Sequence, residues 1–205
     1  MDITTFHNNM IRNCGRGTGI LTDVQECTRR AARWIERNYS FQYMRKFLVT
    51  TVDVDATDAR FVSLPARLKR ERFVRRVDGS SGNYVRLTKV DPASVVSISQ
   101  GAPEAYWFDG DDAIVLSSLP DEDFVLEIQF EQYSAWPTGG THWLLENAED
   151  ALQARTMSYL AVVLRDTSLK VLYDAELKEA LATLIPADEN LEYSGQDLHL
   201  RYEGE

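Results

Sequence analysis

The sequence predicts an α+β protein in which a central antiparallel β module stands between helical segments at the two ends of the chain. Three observations indicate this architecture. Apolar residues recur at helical spacing early in the chain, alternate with polar residues through its middle, and return to helical spacing in its last third. With 205 residues and 44% hydrophobic side chains, the chain can bury one sizeable core, or a core and a small second module, without disulfides.

The N-terminal segment, residues 1–45, contains one predicted amphipathic helix over 23–38. Thr22 and Gln25 have the spacing of a capping box at its start. The predicted inward positions recur at helical spacing: Val24, Cys27, Ala31, Trp34 and Ile35. The opposite side carries a row of arginines at i, i+4 and i+8: Arg29, Arg33 and Arg37. Such a row is either a solvated helix face or a surface for a protein or a phosphate.

Residues 46–134 form the predicted antiparallel β module. Short segments rich in Val, Ile, Phe and Tyr are separated there by Gly, Pro, Asp and Ser. The clearest segment, FVLEIQFE, directs Leu126, Ile128 and Phe130 to the core and its alternate residues outward. Asp109-Gly110 is a hairpin-turn signal, and the aspartates around it lack the spacing of a calcium loop.

Two helices are predicted in residues 135–186, and they are expected to form an antiparallel pair that packs with the N-terminal helix as a helical core. Asn147 and Asp150 can cap the first helix, and Pro186 is expected to end the second, predicted over 168–185. Residues 187–205 are acidic and are predicted to be an extended arm that binds a partner. Four residues would anchor the arm: Leu191, Tyr193, Leu198 and Leu200.

Charge divides the chain into two unlike halves. Residues 1–90 hold 17 Lys and Arg against 9 Asp and Glu, a net +8, whereas the remainder holds 5 against 23, a net −18. This division favours head-to-tail contact between copies or docking onto a charged partner, although the charges of the two halves can also interleave after folding.

A basic run, LPARLKRERFVRR at residues 64–76, holds six cations: Arg67, Lys69, Arg70, Arg72, Arg75 and Arg76. If the run is a strand, neither face is apolar before Arg72, so strand parity predicts an exposed edge or loop followed by a strand-like RFVRRV. Three uses remain open: docking on an acidic protein surface, a solvated edge strand, and contact with DNA. Protein docking is favoured because the acidic half of an adjoining copy is a natural complement.

The residue types that carry chemistry are sparse. The three histidines stand in different parts of the chain, and neither they nor Cys14 and Cys27 have metal-ligand or redox spacing. No nucleophile motif or phosphate loop is present. The sequence therefore predicts a protein without enzymatic activity, cofactor or metal. It also predicts reduced cysteines, no secretory leader and no membrane span.

The order of elements resembles the head-to-tail adaptor (connector) proteins of tailed bacteriophages, particularly the short-tailed type. The resemblance covers roughly residues 20–186 and rests on RWIERNYSF in the first helix, GAPEAYWFDGDDAIVLSSLPDEDFVLEIQFEQYSA, and THWLLENAEDALQARTMSYLAVVLRD. Its most specific part is a succession of glycine, proline, aromatic and Leu-Pro positions: Gly101, Pro103, Tyr106, Leu119 and Pro120.

The resemblance implies a non-enzymatic structural protein of the virion, assembled in the host cytoplasm. Roughly a dozen copies would form a ring beneath the portal protein, with the C-terminal arm docked on the portal and the β region facing a downstream tail or nozzle protein. DNA would pass through the ring without sequence-specific binding. Two other functions remain as alternatives: a nucleic-acid-binding module that uses the basic segments 29–37 and 67–76, and a tail-associated murein-degrading enzyme.

Overall fold

The structure is a computed structural model that describes residues 1–77, 82–95, 97–110, 112–137 and 139–200, and for residues 189–200 it describes the backbone alone. The chain divides into two compact units. The helical unit combines Met1–Tyr43 with Ala135–Glu205, and the strand unit is Met44–Ser134. The architecture is α+β, as the sequence predicts.

Within the described residues, the helical unit contains five α-helices: α1 (Ile3–Asn13), α2 (Leu21–Asn38), α3 (Trp143–Asn147), α4 (Glu149–Val163) and α5 (Thr167–Leu200). The sequence did not predict α1, which Asp2 caps by accepting the Thr5 N–H at 2.8 Å. The predicted inward side of α2 is confirmed, with Val24 and Ile35 fully buried. The capping box is wrong, because a 3-10 turn at Thr18–Ile20 leads directly into α2.

A sharp turn joins α4 to α5. Arg165 adopts a left-handed conformation with φ of 57°, which lets its N–H reach the Val162 carbonyl and the Asp166 N–H reach the Ala161 carbonyl. These two bonds end α4 as a Schellman motif. The Asp166 carboxylate then accepts the Leu169 N–H at 3.0 Å at the start of α5, so one residue both closes α4 and caps α5.

Helix α5 continues through Pro186 to Leu200, so the predicted end of the helix at Pro186 is wrong. A proline inside a helix removes one backbone hydrogen bond, and a compensating contact lies two residues further on. Asp188 is buried, and its carboxylate accepts the Gln42 N–H at 3.0 and 3.2 Å. The Gln42 side chain also donates to the Asp188 carbonyl at 3.3 Å, which ties the helix beyond the proline to the N-terminal segment.

The strand unit contains two four-stranded sheets. The strands in chain order are β1 (Arg45–Val52), β2 (Phe61–Ser63), β3 (Leu68–Val77), β4 (Tyr84–Arg86), β5 (Thr88–Lys89), β6 (Ala105–Asp109), β7 (Ala113–Leu116) and β8 (Phe124–Gln132). Sheet A has the order β1-β8-β3-β4 and sheet B the order β2-β7-β6-β5. All described pairs are antiparallel except β5 with β6, which is parallel.

The inward faces of the two sheets share one core. Leu126, Ile128 and Phe130 of β8 are buried in it, as the alternation of the sequence predicts. The hairpin predicted at Asp109-Gly110 joins β6 to β7, and Gly110 has a φ of 63° there. The segment SVVSIS, residues 94–99, is rich in β-branched residues and predicts a strand, but its described part contains none, and only the next residue, Gln100, forms an isolated bridge with Leu119.

No helix in the described part of the chain has the length and apolar character needed to cross a membrane.

Candidate interaction surface

Strand β3 carries most of the basic run and pairs with β8 along its length, but it pairs with β4 only at Arg75–Val77. Its register with β8 shifts twice, between Leu68 and Arg70 and between Glu71 and Phe73. Each shift inserts one extra residue, so Lys69 and Arg72 are the bulged positions. The two bulges interrupt the alternation of the strand and gather neighbouring basic side chains on one part of the sheet.

One carboxylate lies at the centre of these side chains. Glu131 of β8 is fully buried, although it is on the outward face of the strand. Its Oε1 lies 2.7 Å from Arg70 Nη2 and 3.5 Å from Arg72 Nε. Its Oε2 lies 3.9 Å from Lys69 Nζ, and Arg45 of β1 is its directly opposite residue in the sheet. Three cations therefore lie within 4 Å of one buried carboxylate, and a fourth stands opposite it in the sheet.

The predicted exposed edge in the first half of the run is confirmed only in part. Residues 64–67 precede β3, Arg67 and Arg70 are exposed, and among the described strands residues 68–73 pair with β8 alone, as an edge does. Lys69 and Arg72 keep only 10% and 25% of their side-chain exposure, and the segment is a paired strand from Leu68 onward. Strand parity did not predict this burial, because it assumes an unbroken alternation of side chains, which the two bulges interrupt. The counter-charge that allows these residues to be covered comes from Glu131, more than fifty positions further along the chain.

The remaining residues of the predicted docking edge have different surroundings. Arg67 is exposed, with φ of 67°, just before β3. Arg75 lies on the outward face, 2.6 Å from Glu127 of β8. Arg76 lies opposite the buried Leu126, on the inward side of the strand, and its Nε is buried. The six cations therefore do not form one surface.

Exposed apolar side chains lie on the outward face of sheet A, with Phe47 nearest the basic cluster and Tyr84 opposite Val77 at the other end of β3. Phe47 and Val49 of β1 are 59% and 61% exposed, and Tyr84 of β4 is 58% exposed. Phe73 packs edge-on against Phe47, with ring centroids 6.0 Å apart. The Arg75 guanidinium lies 3.9 Å from the centre of the Tyr84 ring. We call Phe47, Val49, Phe73 and Tyr84 the apolar patch.

The opposite end of the same sheet is acidic. The loop before β8 exposes Asp121, Glu122 and Asp123, and the loop after β1 exposes three further aspartates. The two loops are joined where the Val54 N–H donates to Asp123 Oδ1 at 2.9 Å. Leu119, just before the three carboxylates, is 43% exposed. The sequence does not reveal the apolar patch or the meeting of the two acidic loops, because each brings together residues from separate parts of the chain.

The arginine row of α2 is exposed at all three predicted positions, Arg29, Arg33 and Arg37. None of the three forms an ion pair with another residue that the structure describes. The row therefore leaves its charge available to solvent or to a partner. The predicted arm anchors Leu191, Tyr193, Leu198 and Leu200 have side chains outside the described part of the structure.

A buried polar network in the helical unit also escaped sequence analysis. Glu36 of α2 is 2% exposed and accepts the Trp143 indole N–H at 2.9 Å. His142 caps α3, because its Nδ1 accepts the Leu144 N–H at 3.2 Å, and its Nε2 lies 3.8 Å from Glu36. Burial lowers the pKa of His142 to about 4, an effect that the charge of Glu146 opposes. The ring is therefore neutral at pH 7, and the cap depends on this neutral form.

An open groove of about 540 Å³ lies between the beginning of α4 and the middle of α5. Its charged lining is acidic: Glu149, Asp150, Glu176 and Glu179. The one hydroxyl in the lining, that of Thr183, donates to the Glu179 carbonyl of its own helix at 3.2 Å. Among the described residues, no group of three or more His, Cys, Asp or Glu side chains is placed to hold a metal ion.

Comparison of the chain with models of protein families gives no match, and comparison with curated proteins gives none either.

Proposed function

We propose that this chain is a structural protein that works through contacts with other proteins and without catalysis. The observation that supports the proposal is the outward face of sheet A, where the exposed side chains of Phe47, Val49 and Tyr84 share one face with the Lys and Arg side chains near Glu131. Contiguous exposed apolar side chains beside polar ones are typical of docking surfaces. The acidic groove of the helical unit, by contrast, presents carboxylates without a partner nucleophile or base.

Within that class, the best-supported function is a head-to-tail adaptor of a short-tailed phage. Such an adaptor forms a ring beneath the portal protein, connects it to a downstream tail or nozzle protein and leaves a channel for DNA. The residues that carry the resemblance support this proposal, because they build one local structure. The Gly101 N–H donates to the Leu119 carbonyl at 2.9 Å, Ser118 donates to the Gly101 carbonyl at 2.8 Å, and Tyr106 is buried in the core.

The arrangement of the chain supports the same function. Helices from both ends of the sequence form one unit, and the strand unit is inserted between residues 43 and 135. In the proposed virion, residues 187–205 dock on the portal, and the strand unit meets a neighbour or the tail.

Ring formation on the portal tests the proposal. Purified protein mixed with its portal should form rings visible by electron microscopy, and deletion of residues 189–205, which keeps the bonds between Asp188 and Gln42, should abolish them. A matched control is Val171→Glu on α5, which changes an exposed residue (70%) that has no place in the proposed contacts. Failure of the intact chain to form a ring, or rings that persist without residues 189–205, would contradict the proposal.

A nucleic-acid-binding function has one specific observation in its favour, the exposed row of Arg29, Arg33 and Arg37. If these residues each contact a phosphate, the logarithm of duplex affinity should fall with the logarithm of salt concentration, with a slope near −3. Replacement of the three arginines with Gln should flatten that slope. The basic run is a weaker candidate for DNA contact, because Glu131 and Glu127 already pair with several of its cations.

A further inference from the structure

The arginine row of α2 is a line of positive charge that the packing of the helical unit leaves free. Trp34 of the same helix contacts α4, where the Arg155 guanidinium lies 4.0 Å from the centre of its ring. The members of the row are exposed and form no ion pair within the described part of the chain: Arg29, Arg33 and Arg37. Eight residues at 1.5 Å each make the row about 12 Å long.

The groove between α4 and α5 is a negative surface of matching size in the same unit. Two carboxylates at the beginning of α4 and two in the middle of α5 line it: Glu149, Asp150, Glu176 and Glu179. None of the four forms an ion pair or a side-chain hydrogen bond with another described residue, and the lining holds no Lys or Arg. The lining on α5 extends over residues 176–187, about 16 Å, so it is long enough to receive the whole row.

The other lining residues make the groove suitable for long side chains. Four of them are alanines, on both helices: Ala148, Ala151, Ala180 and Ala187. These small side chains leave an open volume of about 540 Å³. The apolar stem of an arginine can lie along the alanines while its guanidinium reaches a carboxylate at the rim of the groove.

We infer that the arginine row of one copy of this chain docks in the acidic groove of a second copy. Charge complementarity selects this occupant, because both surfaces lack an ion-pair partner within their own chain. The row cannot fill its own groove, because α2 is held against α4 through Trp34 and Arg155. The row and the groove are different surfaces of one unit, so the contact is heterologous and can continue from copy to copy into a ring. In this respect the inference rests on the proposed function, since it supplies the contact between neighbours that a ring requires.

The nature of the contact sets its strength. Ion pairs between exposed side chains are individually weak, and three or four of them correspond to a dissociation constant near about 1 mM. Copies therefore associate detectably in solution only at high concentration and low salt. A template such as the portal, which holds copies side by side, raises their effective concentration and allows the ring to close.

Two charge-reversed variants test the two surfaces. Arg33→Glu with Arg37→Glu reverses the row and keeps its third arginine, whose charge acts on the buried His7. Glu176→Lys with Glu179→Lys reverses the α5 side of the groove and keeps the carboxylates in the first turn of α4, which stabilise that helix. The four replaced side chains are exposed, and Glu and Lys have similar helix propensities. Circular dichroism and thermal unfolding should therefore match those of the wild type.

Two further variants control for charge. Asp121→Lys with Glu122→Lys changes the net charge by the same amount as the groove variant, but at exposed carboxylates of the strand unit. A chain that carries both the row reversal and the groove reversal keeps the net charge of the wild type, and its two surfaces are complementary again.

Sedimentation velocity at about 10 mM salt, where the Debye length is about 30 Å, distinguishes the outcomes. The wild type, the Asp121→Lys/Glu122→Lys control and the doubly reversed chain should associate as their concentration approaches about 1 mM. The row variant and the groove variant should each associate at least about tenfold more weakly. A monomeric wild type, undiminished association of either variant, loss of association in the control, or no recovery in the doubly reversed chain would each overturn the inference.

The portal assay separates failure of this inference from failure of the proposed function. If the row variant and the groove variant still form rings on the portal, the function stands and the assigned contact is wrong. If the wild type associates through these surfaces but forms no ring with the portal, the contact stands and the adaptor function is wrong. If the row variant loses duplex binding yet associates as the wild type does, the partner of the row is nucleic acid and the inference is wrong.

Discussion

Neutralisation of Glu131 should lower the free energy of unfolding of the strand unit by more than neutralisation of the nearby Glu127. Replacement of Glu131 with Gln keeps the shape of the side chain but removes the negative charge that Arg70, Arg72 and Lys69 approach. The side chain of Glu131 is fully buried, whereas those of Lys69 and Arg70 are 10% and 50% exposed. Removal of one member of a buried ion pair costs about 3–5 kcal/mol, and the partial hydration of the cations places this case near 3 kcal/mol.

Glu127→Gln is the matched control. Glu127 lies on the same face of β8, and among the described residues its ion pair is with Arg75, at 2.6 Å. Both side chains of this pair are partly exposed. Its neutralisation should cost about 1 kcal/mol or less. Amide hydrogen exchange within β8 is the suitable assay, because it reports opening of the strand unit independently of the helical unit. A loss of 3 kcal/mol accelerates exchange through global opening by roughly a hundredfold.

A second substitution tests whether the lost counter-charge is what destabilises the Glu131→Gln variant. In the Glu131→Gln background, Arg70→Gln should restore stability or leave it unchanged, because it removes one of the cations that have lost their counter-charge. In the wild type, the same substitution should destabilise. Equal effects of Glu131→Gln and Glu127→Gln on exchange, or a further loss on adding Arg70→Gln, would refute the idea that Glu131 holds the cluster together.

Three further predictions concern the helical unit. Burial lowers the pKa of His142 from 6.5 to about 4, so the unfolded chain binds a proton that the folded chain does not between these pH values. The free energy of unfolding should therefore be full above pH 6.5 and should fall by about 3 kcal/mol towards pH 4. His142→Asn, which can still cap α3, should remove most of this pH dependence in urea titrations. Asp188→Ala should cost about 1–3 kcal/mol in urea unfolding and should lose the exchange protection of the Gln42 amide, since that buried N–H loses its acceptor. Arg165→Gly should raise the thermal midpoint, with a gain of up to about 1 kcal/mol, because glycine adopts a φ of 57° without steric cost.

The sequence was informative where structure depends on neighbours in the chain. The alternation in β8 correctly placed Leu126, Ile128 and Phe130 in the core, and the helical spacing in α2 correctly buried Val24 and Ile35. Both patterns are local, because a strand or helix with one buried face must repeat with its own period. The hairpin at Gly110 was predictable for the same reason.

Features that depend on distant residues were not predictable in this way. Strand β3 has two bulges and a buried counter-charge from Glu131, and neither leaves a mark within the basic run itself. Helix α5 continues past Pro186 in the presence of a contact between Asp188 and Gln42, which are 146 positions apart. The clue that was available was the pair Glu127 and Glu131 on the outward side of β8, opposite in charge to the run.

The insertion of the strand unit has a consequence for how this protein can change over time. Its first and last strands, β1 and β8, are antiparallel neighbours, and Arg45 lies opposite Glu131 close to the points where the chain enters and leaves the unit. Entry and exit are therefore only about one strand spacing apart, near 5 Å. A module with adjacent ends can be exchanged for another, or removed and bridged by a short turn, without displacing the helices on either side. The helical unit and the strand unit can thus diversify at different rates.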